Sequence, residues 1–181
     1  PTASLYNNRL QLHASIEMAC MDLAGKRLGI RACDLLGGAI RETVPFASYI
    51  FYRYLDETGT RGGETYADDI VAHAHALKDK HGFRTHKLKG GHFPPDHDIE
   101  VMHALGEAFP EDRLRLDPNG LWSVEESVRV AQAIQPLRND YLEDPTWGME
   151  GMRRVREQIS IPTATNQVVV NFEHLTQCIL H

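Results

Sequence analysis

The sequence predicts a parallel α/β fold, specifically about the first five strand-helix units of a (β/α) TIM-type barrel. Short apolar segments alternate with longer amphipathic ones along most of the chain. Corresponding positions in successive units recur at steps of roughly 23 to 28 residues, a size that suits one strand and one helix of such a barrel. The glycine-rich segment 59–63 lacks the G-x-G-x-x-G spacing of a dinucleotide-binding open sheet, which favours the barrel.

The predicted elements follow in order, beginning with one amphipathic helix or two over residues 10–36, where apolar and small side chains recur at helical spacing. Gly37 and Gly38 supply a stop for this helical region. Strands are predicted at residues 44–52, 85–90, 113–117, 141–144 and 162–166. Helices are predicted at residues 66–80, 98–108, 124–134 and 149–159, and a further helix begins within residues 171–181. Ser123, followed three residues later by Glu126, is a capping-box signature for the helix at 124–134.

Composition argues against several classes of partner. Lys and Arg number 19 against 25 Asp and Glu, so we expect neither a nucleic acid nor an anionic membrane surface as partner. Cys20, Cys33 and Cys178 are far apart and form no C-x-x-C pair, which predicts neither a disulfide framework nor a cysteine zinc site. No apolar run approaches the roughly 20 residues of a membrane span, and no charged-then-apolar leader opens the sequence. We therefore expect a cytoplasmic protein.

Candidate site residues collect where the predicted strands end, which is the face that carries the active site in (β/α) barrels. They are Tyr49, Phe51, Lys87, Lys89, Asp117, Asn119, Glu143 and Asn166. Oxygen atoms of Asp, Glu and Asn are hard donors that suit Mg²⁺. A divalent cation held by them can take a substrate carboxylate as a further ligand and stabilise the charge that develops when the adjacent carbon loses a proton.

The lysine pair supplies the base in this interpretation. Lys87 and Lys89 lie two residues apart, so on a strand they share one face. A second ammonium and a divalent cation both lower the pKa of a neighbouring lysine, which a lysine base requires. We predict Lys89 as the base, and Lys87 as the residue that lowers its pKa and holds the substrate carboxylate. Each motif alone has an ordinary explanation, such as a solvated strand face or a turn, but four in consecutive units favour a site.

The motifs HKLKGG, RLDPNGLWS, YLEDP and IPTATN, in this order, resemble the enolase superfamily, and within it the glucarate dehydratase group. The resemblance implies an enzyme with a capping α+β domain and a (β/α)₇β barrel that dehydrates aldaric acids such as glucarate with Mg²⁺. It implies that residues 1–41 are the terminal helical part of the capping domain and that residues 42–181 are a partial barrel. A small dicarboxylic sugar acid is the implied partner, and a homo-oligomer is the expected assembly.

The same resemblance implies a role for each candidate residue. Asp117, Glu143 and Asn166 match the metal ligands, and Glu150 is an alternative to Glu143. Lys89 matches the lysine that abstracts the proton, and Lys87 matches its partner. Tyr49, Phe51 and Asn119 are implied to line the substrate. Superfamily members also carry a catalytic His, oriented by an Asp, on later strands, and nothing after IPTATN matches these residues.

Two other functions stay open from the sequence. A racemase or epimerase of the same superfamily would place bases on both faces of one carbon. A truncated, catalytically silent chain would serve only as a structural or oligomeric piece, and unpaired barrel-edge strands favour association of such a chain.

Overall fold

The computed structural model describes the backbone of residues 4–180 and the side chains of residues 12–179. The chain divides into two compact units, with the boundary between Pro45 and Phe46, slightly later than the predicted boundary after residue 41. Assignment of the first unit to a capping domain stays a prediction. Among the helices in the described part of the chain, none is both long enough and apolar enough to cross a bilayer.

The first unit contains two helices, α1 (Ser4–Leu28) and α2 (Ala32–Leu35), which settles the choice between one helix and two. Gly29 ends α1 in the left-handed region at φ 70°. Gly37 and Gly38 also have positive φ, and the Gly38 N–H donates to the carbonyl of Cys33 at 2.9 Å. The predicted glycine stop is therefore confirmed.

The second unit alternates strands with helices, as predicted. Its strands are β1 (Ser48–Phe51), β2 (Thr85–Lys89), β3 (Arg113–Asp117), β4 (Asn139–Glu143) and β5 (Thr163–Ala164). Its helices are α3 (Ala67–His81), α4 (Pro95–Ala108), α5 (Val124–Ile134), α6 (Met149–Arg156) and α7 (Phe172–Leu180). The bounds of β3 and α5 agree with the prediction at both ends. Strands β1 and β5 are shorter than predicted, and within the described sheet each pairs with one neighbour.

Local sequence accounts for several helix ends. The Ser123 hydroxyl accepts a hydrogen bond from the Glu126 N–H at 3.1 Å, so the predicted cap of α5 is present. Helix α4 begins earlier than predicted, at Pro95, where a missing N–H and a fixed φ suit the first turn. Helix α3 stops at Gly82, which takes the left-handed conformation at φ 72°.

The five strands form one parallel sheet in chain order, β1 to β5, each hydrogen-bonded to its predecessor. Most side chains at even positions point to one face and are buried: Ser48, Ile50, His86, Leu88, Leu114, Leu116 and Leu142. The apolar members of that row form one core with helix residues such as Ile70, Met102 and Ile134. Odd positions of the strands lie on the opposite face, and they include Tyr49, Phe51, Lys87, Lys89, Asp117 and Glu143. The parallel α/β prediction is confirmed, and the sheet turns its reactive face away from this core.

A polar network lies at the amino end of the buried face. The Ser48 hydroxyl oxygen is 2.8 Å from His86 Nδ1, and His86 Nε2 is 3.1 Å from a carboxylate oxygen of Asp112. Burial lowers the pKa of His86, although Asp112 opposes that shift. Burial would raise the pKa of Asp112, but hydrogen bonds from Lys78 and His86 hold it below its ordinary value. This end of the sheet is therefore held together by charged and polar groups under the helices.

Candidate active site

The register of the parallel strands aligns the predicted site residues. Phe51 lies opposite Lys89, and Lys89 lies opposite Asp117. Between β4 and β5, Glu143 lies opposite Ala164, and Ala164 comes two residues before Asn166. Since the carboxyl ends of parallel strands meet at one edge, residues far apart in sequence come within hydrogen-bond distance there.

Both lysines bind carboxylates in the centre of this edge. The Lys87 ammonium is 2.6 Å from Glu143 Oε2 and 3.1 Å from Asp117 Oδ2. The Lys89 ammonium is 2.7 Å from the same Asp117 oxygen and 2.8 Å from Asn119 Oδ1. One carboxylate oxygen therefore contacts both lysines, and the two ammonium groups are held next to each other by shared negative charge.

Asn166, the third predicted ligand, joins the network from the loop after β5. Its side-chain amide donates to Glu143 Oε1 at 3.1 Å, and its backbone N–H donates to Asp144 Oδ2 at 3.2 Å. The structure thus brings all three predicted ligands, Asp117, Glu143 and Asn166, into one connected cluster.

Aromatic rings flank the lysines on the β1 side. The Lys87 ammonium lies 4.9 Å from the centre of the Tyr49 ring, a distance at which a cation attracts an aromatic face. The rings of Tyr49 and Phe51 are 4.4 Å apart and remain 46% and 42% exposed. Two open aromatic surfaces beside a charged centre are consistent with their predicted contact with substrate, a role that stays a prediction.

Glu150, the alternative second ligand, has a different environment. It lies in the first turn of α6, where Arg153 pairs with its carboxylate at 2.7 Å, and its side chain is 61% exposed. Glu143 instead shares the Lys87 ammonium with Asp117 and is nearly buried. The geometry therefore favours Glu143 for the predicted ligand role.

Attraction between Lys87 and its carboxylate partners dominates the electrostatics at the centre. Burial lowers the pKa of Lys87, but hydrogen bonds and charges from Glu143 and Asp117 outweigh it and leave that pKa above its ordinary value. Burial raises the pKa of Glu143, and the neighbouring Asp117 charge adds to that shift while Lys87 opposes it. Attraction to carboxylates, rather than repulsion between lysines, is the stronger effect at Lys87.

The oxygen atoms of Asp117, Glu143 and Asn166 are of the kind that bind a hard divalent cation. A single ammonium already lies within 3.1 Å of two carboxylates, so cationic charge is accommodated between Asp117 and Glu143. Burial is the main cause of the raised pKa of Glu143, and the negative charge of the neighbouring Asp117, which adds to that shift, is one that a divalent cation would neutralise. Within the described residues, no three His, Cys, Asp or Glu side chains are grouped to hold a metal. The amide oxygen of Asn166 would therefore have to be the third donor, as an all-oxygen Mg²⁺ site permits.

Sequence reasoning missed two residues that organise the loops around the centre. Asp144 is fully buried, has φ 40°, and accepts hydrogen bonds from Thr165 Oγ1 at 2.6 Å and from the Asn166 N–H. Its carbonyl also accepts from the Gly120 N–H at 2.6 Å. Gln167 is buried as well and donates to Asn119 Oδ1 at 2.6 Å. The YLEDP motif contained Asp144, but only its place beside Glu143 pointed to it, and nothing in the sequence pointed to Gln167.

A third missed residue supports the turn after Lys89. Asp98, on α4, is fully buried and accepts hydrogen bonds from the Tyr52 hydroxyl at 2.7 Å and from the Gly91 N–H at 2.7 Å. Gly91 has φ 75°, and a side chain there would stand 2.5 Å from the Pro118 carbonyl oxygen. Gly91 is therefore required by close packing of the loops after β2 and β3.

Comparison with known proteins places this geometry in a family. A model described as Enolase C-terminal domain-like matches residues 69–181. The chain is 40% identical over 176 residues to a probable glucarate dehydratase of Streptomyces coelicolor, covering 93% of this chain and 41% of that protein. It is 29% identical over 150 residues to a hydrophobic dipeptide epimerase of Enterococcus faecalis, covering 81% and 38%.

A solved structure agrees with these matches. An enolase from Thermobispora bispora, crystallised in complex with magnesium and formate, is 45% identical and superposes with a TM-score of 0.80 over 91% of this chain and 40% of that one. The chain thus spans about two fifths of the length of these relatives. From the family match over 69–181, the parallel sheet and the similarity along most of its length, the chain belongs to the Enolase C-terminal domain-like family, within the enolase superfamily.

Proposed function

We propose that this chain carries the lysine and metal-ligand part of a Mg²⁺-dependent acid-sugar dehydratase acting on an aldaric acid such as glucarate. The observation that supports the proposal most directly is the Lys89 ammonium, which lies 2.7 Å from Asp117, a predicted ligand. A substrate carboxylate bound to a cation that Asp117 helps to hold would bring its α-carbon next to the lysine. The probable glucarate dehydratase among the relatives supports the substrate class.

In the proposed reaction, each residue acts on a stated atom. Lys89, as the free amine, takes the proton from the carbon α to the carboxylate, and the electrons of that C–H bond form the new double bond as the β-hydroxyl leaves. Lys87 holds the carboxylate by charge. Mg²⁺, held by Asp117, Glu143 and Asn166, would supply Lewis-acid stabilisation of the negative charge. The acid that converts the hydroxyl into water is assigned to a residue outside this network, and the resulting enol tautomerises to a keto-deoxy acid.

The test is to incubate the intact protein with Mg²⁺ and a panel of aldarates and to measure keto-deoxy acid. We expect product with the wild type and a loss of at least about 100-fold for Lys89→Met, the range lost with a general base. Lys80→Met, a surface substitution on α3, is the matched control and should keep full activity. Absence of product with every aldarate in the presence of Mg²⁺ would reject the dehydratase.

A second candidate is an epimerase or racemase, which the Enterococcus faecalis relative supports. The same assay in deuterium oxide separates the two reactions. Deuterium that enters recovered substrate without loss of water supports epimerisation, whereas deuterium in a keto-deoxy product supports dehydration. A protein that binds Mg²⁺ but promotes neither exchange nor dehydration is the catalytically silent chain.

We also propose a cytoplasmic homo-oligomer. Its three cysteines are unpaired thiols, with Cys20 and Cys178 exposed, as suits a reducing compartment. Analytical ultracentrifugation of the intact protein tests the assembly, and a monomer at all concentrations would contradict it.

A further inference from the structure

Gln167 reaches across the sheet to the network of the proposed base. It follows β5, whereas its partner Asn119 follows β3, so their hydrogen bond spans the end of the intervening strand β4. Asn119 Oδ1 accepts from Gln167 Nε2 at 2.6 Å and from the Lys89 ammonium at 2.8 Å. Gln167 is only 6% exposed, so water does not replace Asn119 as the hydrogen-bond partner of its amide.

The two donors determine which way the Asn119 amide faces. A carbonyl oxygen has two acceptor positions, and here both are occupied by N–H donors. A half-turn of the amide would direct its NH₂ group at two other donors, which forfeits both hydrogen bonds. The backbone of Asn119 leaves little other freedom, because it has φ 64° and its N–H donates to Asp117 Oδ1 at 3.0 Å.

Gln167 is itself held firmly. Its backbone N–H donates to Thr165 Oγ1 at 3.2 Å, and that hydroxyl donates to the buried Asp144 carboxylate at 2.6 Å. The amide of Gln167 is thus fixed by the loop after β5 before it meets Asn119. Because the Gln167 amide is rigidly placed, its hydrogen bond can hold the Asn119 side chain in one orientation.

We propose that Gln167 is a positioning residue for Lys89: its amide N–H holds the Asn119 oxygen toward the Lys89 amine and thereby fixes where that amine lies. The placement of the Lys89 amine is inferred from these contacts alone. The benefit of that placement to proton abstraction rests on the function proposed above. A misplaced base slows the chemical step more than it weakens substrate binding. Gln167 therefore acts on the reaction only through Asn119.

The first test needs no substrate. Brief acetylation of the intact protein with an N-hydroxysuccinimide ester, followed by peptide mass spectrometry, gives the labelling of Lys89 relative to Lys87 in one sample. In Gln167→Met, which keeps the length but removes the donor, Lys89 loses a fixed acceptor, and we expect this ratio to rise about 3- to 10-fold, the effect of one hydrogen bond. Gln132→Met, an exposed substitution on α5, is the matched control and should leave the ratio unchanged.

A double substitution tests the route of the effect. If Gln167 acts through Asn119, then Asn119→Ala raises the ratio and adding Gln167→Met changes it no further. Gln167→Glu retains the shape of the side chain and serves where Gln167→Met does not fold. A folded Gln167 variant with the wild-type ratio, or an additive double variant, overturns the inference.

Kinetics give a separate readout. In Gln167→Met, kcat for keto-deoxy acid formation should fall about 3- to 10-fold with KM changed less than about twofold. A wild type without product rejects the dehydratase, yet the acetylation ratio still decides the role of Gln167. The two proposals can therefore fail independently.

Discussion

Replacing Gly90 by alanine perturbs the turn that directly follows Lys89. The added Cβ would stand 2.7 Å from Asp98 Oδ2 and 2.8 Å from Leu116 Cδ1, well inside normal contact. Asp98 has little room to retreat, since it is fully buried and accepts hydrogen bonds from Tyr52 and Gly91. The substitution is therefore expected to strain a polar contact and an apolar one at once.

The expected cost follows from this packing. Inserting a methyl group into a tightly packed site costs about 1–3 kcal/mol, and a central value of about 2 kcal/mol applies because the carboxylate is anchored. In a chain of this size each kcal/mol lowers the unfolding temperature by about 2–4 °C, so Gly90→Ala should lower it by about 4–8 °C. Calorimetry and urea unfolding measure both quantities.

Gly106→Ala is a matched control for Gly90→Ala. Its added Cβ would also meet an atom at 2.7 Å, but that atom is Leu137 Cδ2, the movable end of a flexible side chain. Gly106 lies inside α4, where alanine gains about 1 kcal/mol of helix propensity. We expect Gly106→Ala to be within about 0.5 kcal/mol of the wild type. Equal stability of the two variants would refute the reasoning about Asp98.

Three further predictions concern charge. Burial lowers the pKa of His86 in the folded state, so the unfolded chain binds more protons and the unfolding free energy should fall as the pH drops from 7 to 5. Urea unfolding at both pH values should show a smaller decrease in unfolding free energy for His86→Gln than for the wild type. Lys87→Met removes the ammonium between Asp117 and Glu143, so the unfolding free energy measured with urea in the presence of a chelator should fall by about 3 kcal/mol. Added Mg²⁺ should restore part of this loss. Equal losses with and without Mg²⁺ would contradict the fit of this site to a cation. Glu143→Gln should weaken Mg²⁺ binding in calorimetric titration by at least about tenfold, and Glu150→Gln by less than about twofold; the reverse order would make Glu150 the ligand.

The composition of the site was predictable because parallel strands follow a simple geometric rule. With period two along each strand, Lys87, Lys89, Asp117 and Glu143 fall on one face without knowledge of any contact. Strands that pair in chain order then align their carboxyl ends, so Asn166 joins the others. The ends of β1 and β5 were less predictable, and both strands are shorter in the structure than the apolar segments that predicted them.

The pattern of charge was not predictable from residue types alone. Two lysines on one strand face predict mutual repulsion, whereas the structure also places two carboxylates at 2.6 and 3.1 Å from the Lys87 ammonium. The direction of the pKa shift at Lys87 depends on distances of 2.6 and 3.1 Å, which residue types do not contain.

By itself, the sequence determined the order of strands and helices, the face on which each strand side chain lies, and the cluster of lysines and oxygen donors at one edge. Only the tertiary structure decided that Asp98 supports the turn after Lys89 and that Gln167 reaches Asn119 across the end of β4. The physical reason is that periodicity is a local property of the chain, whereas hydrogen bonds between loops depend on how the helices pack and how far each loop extends.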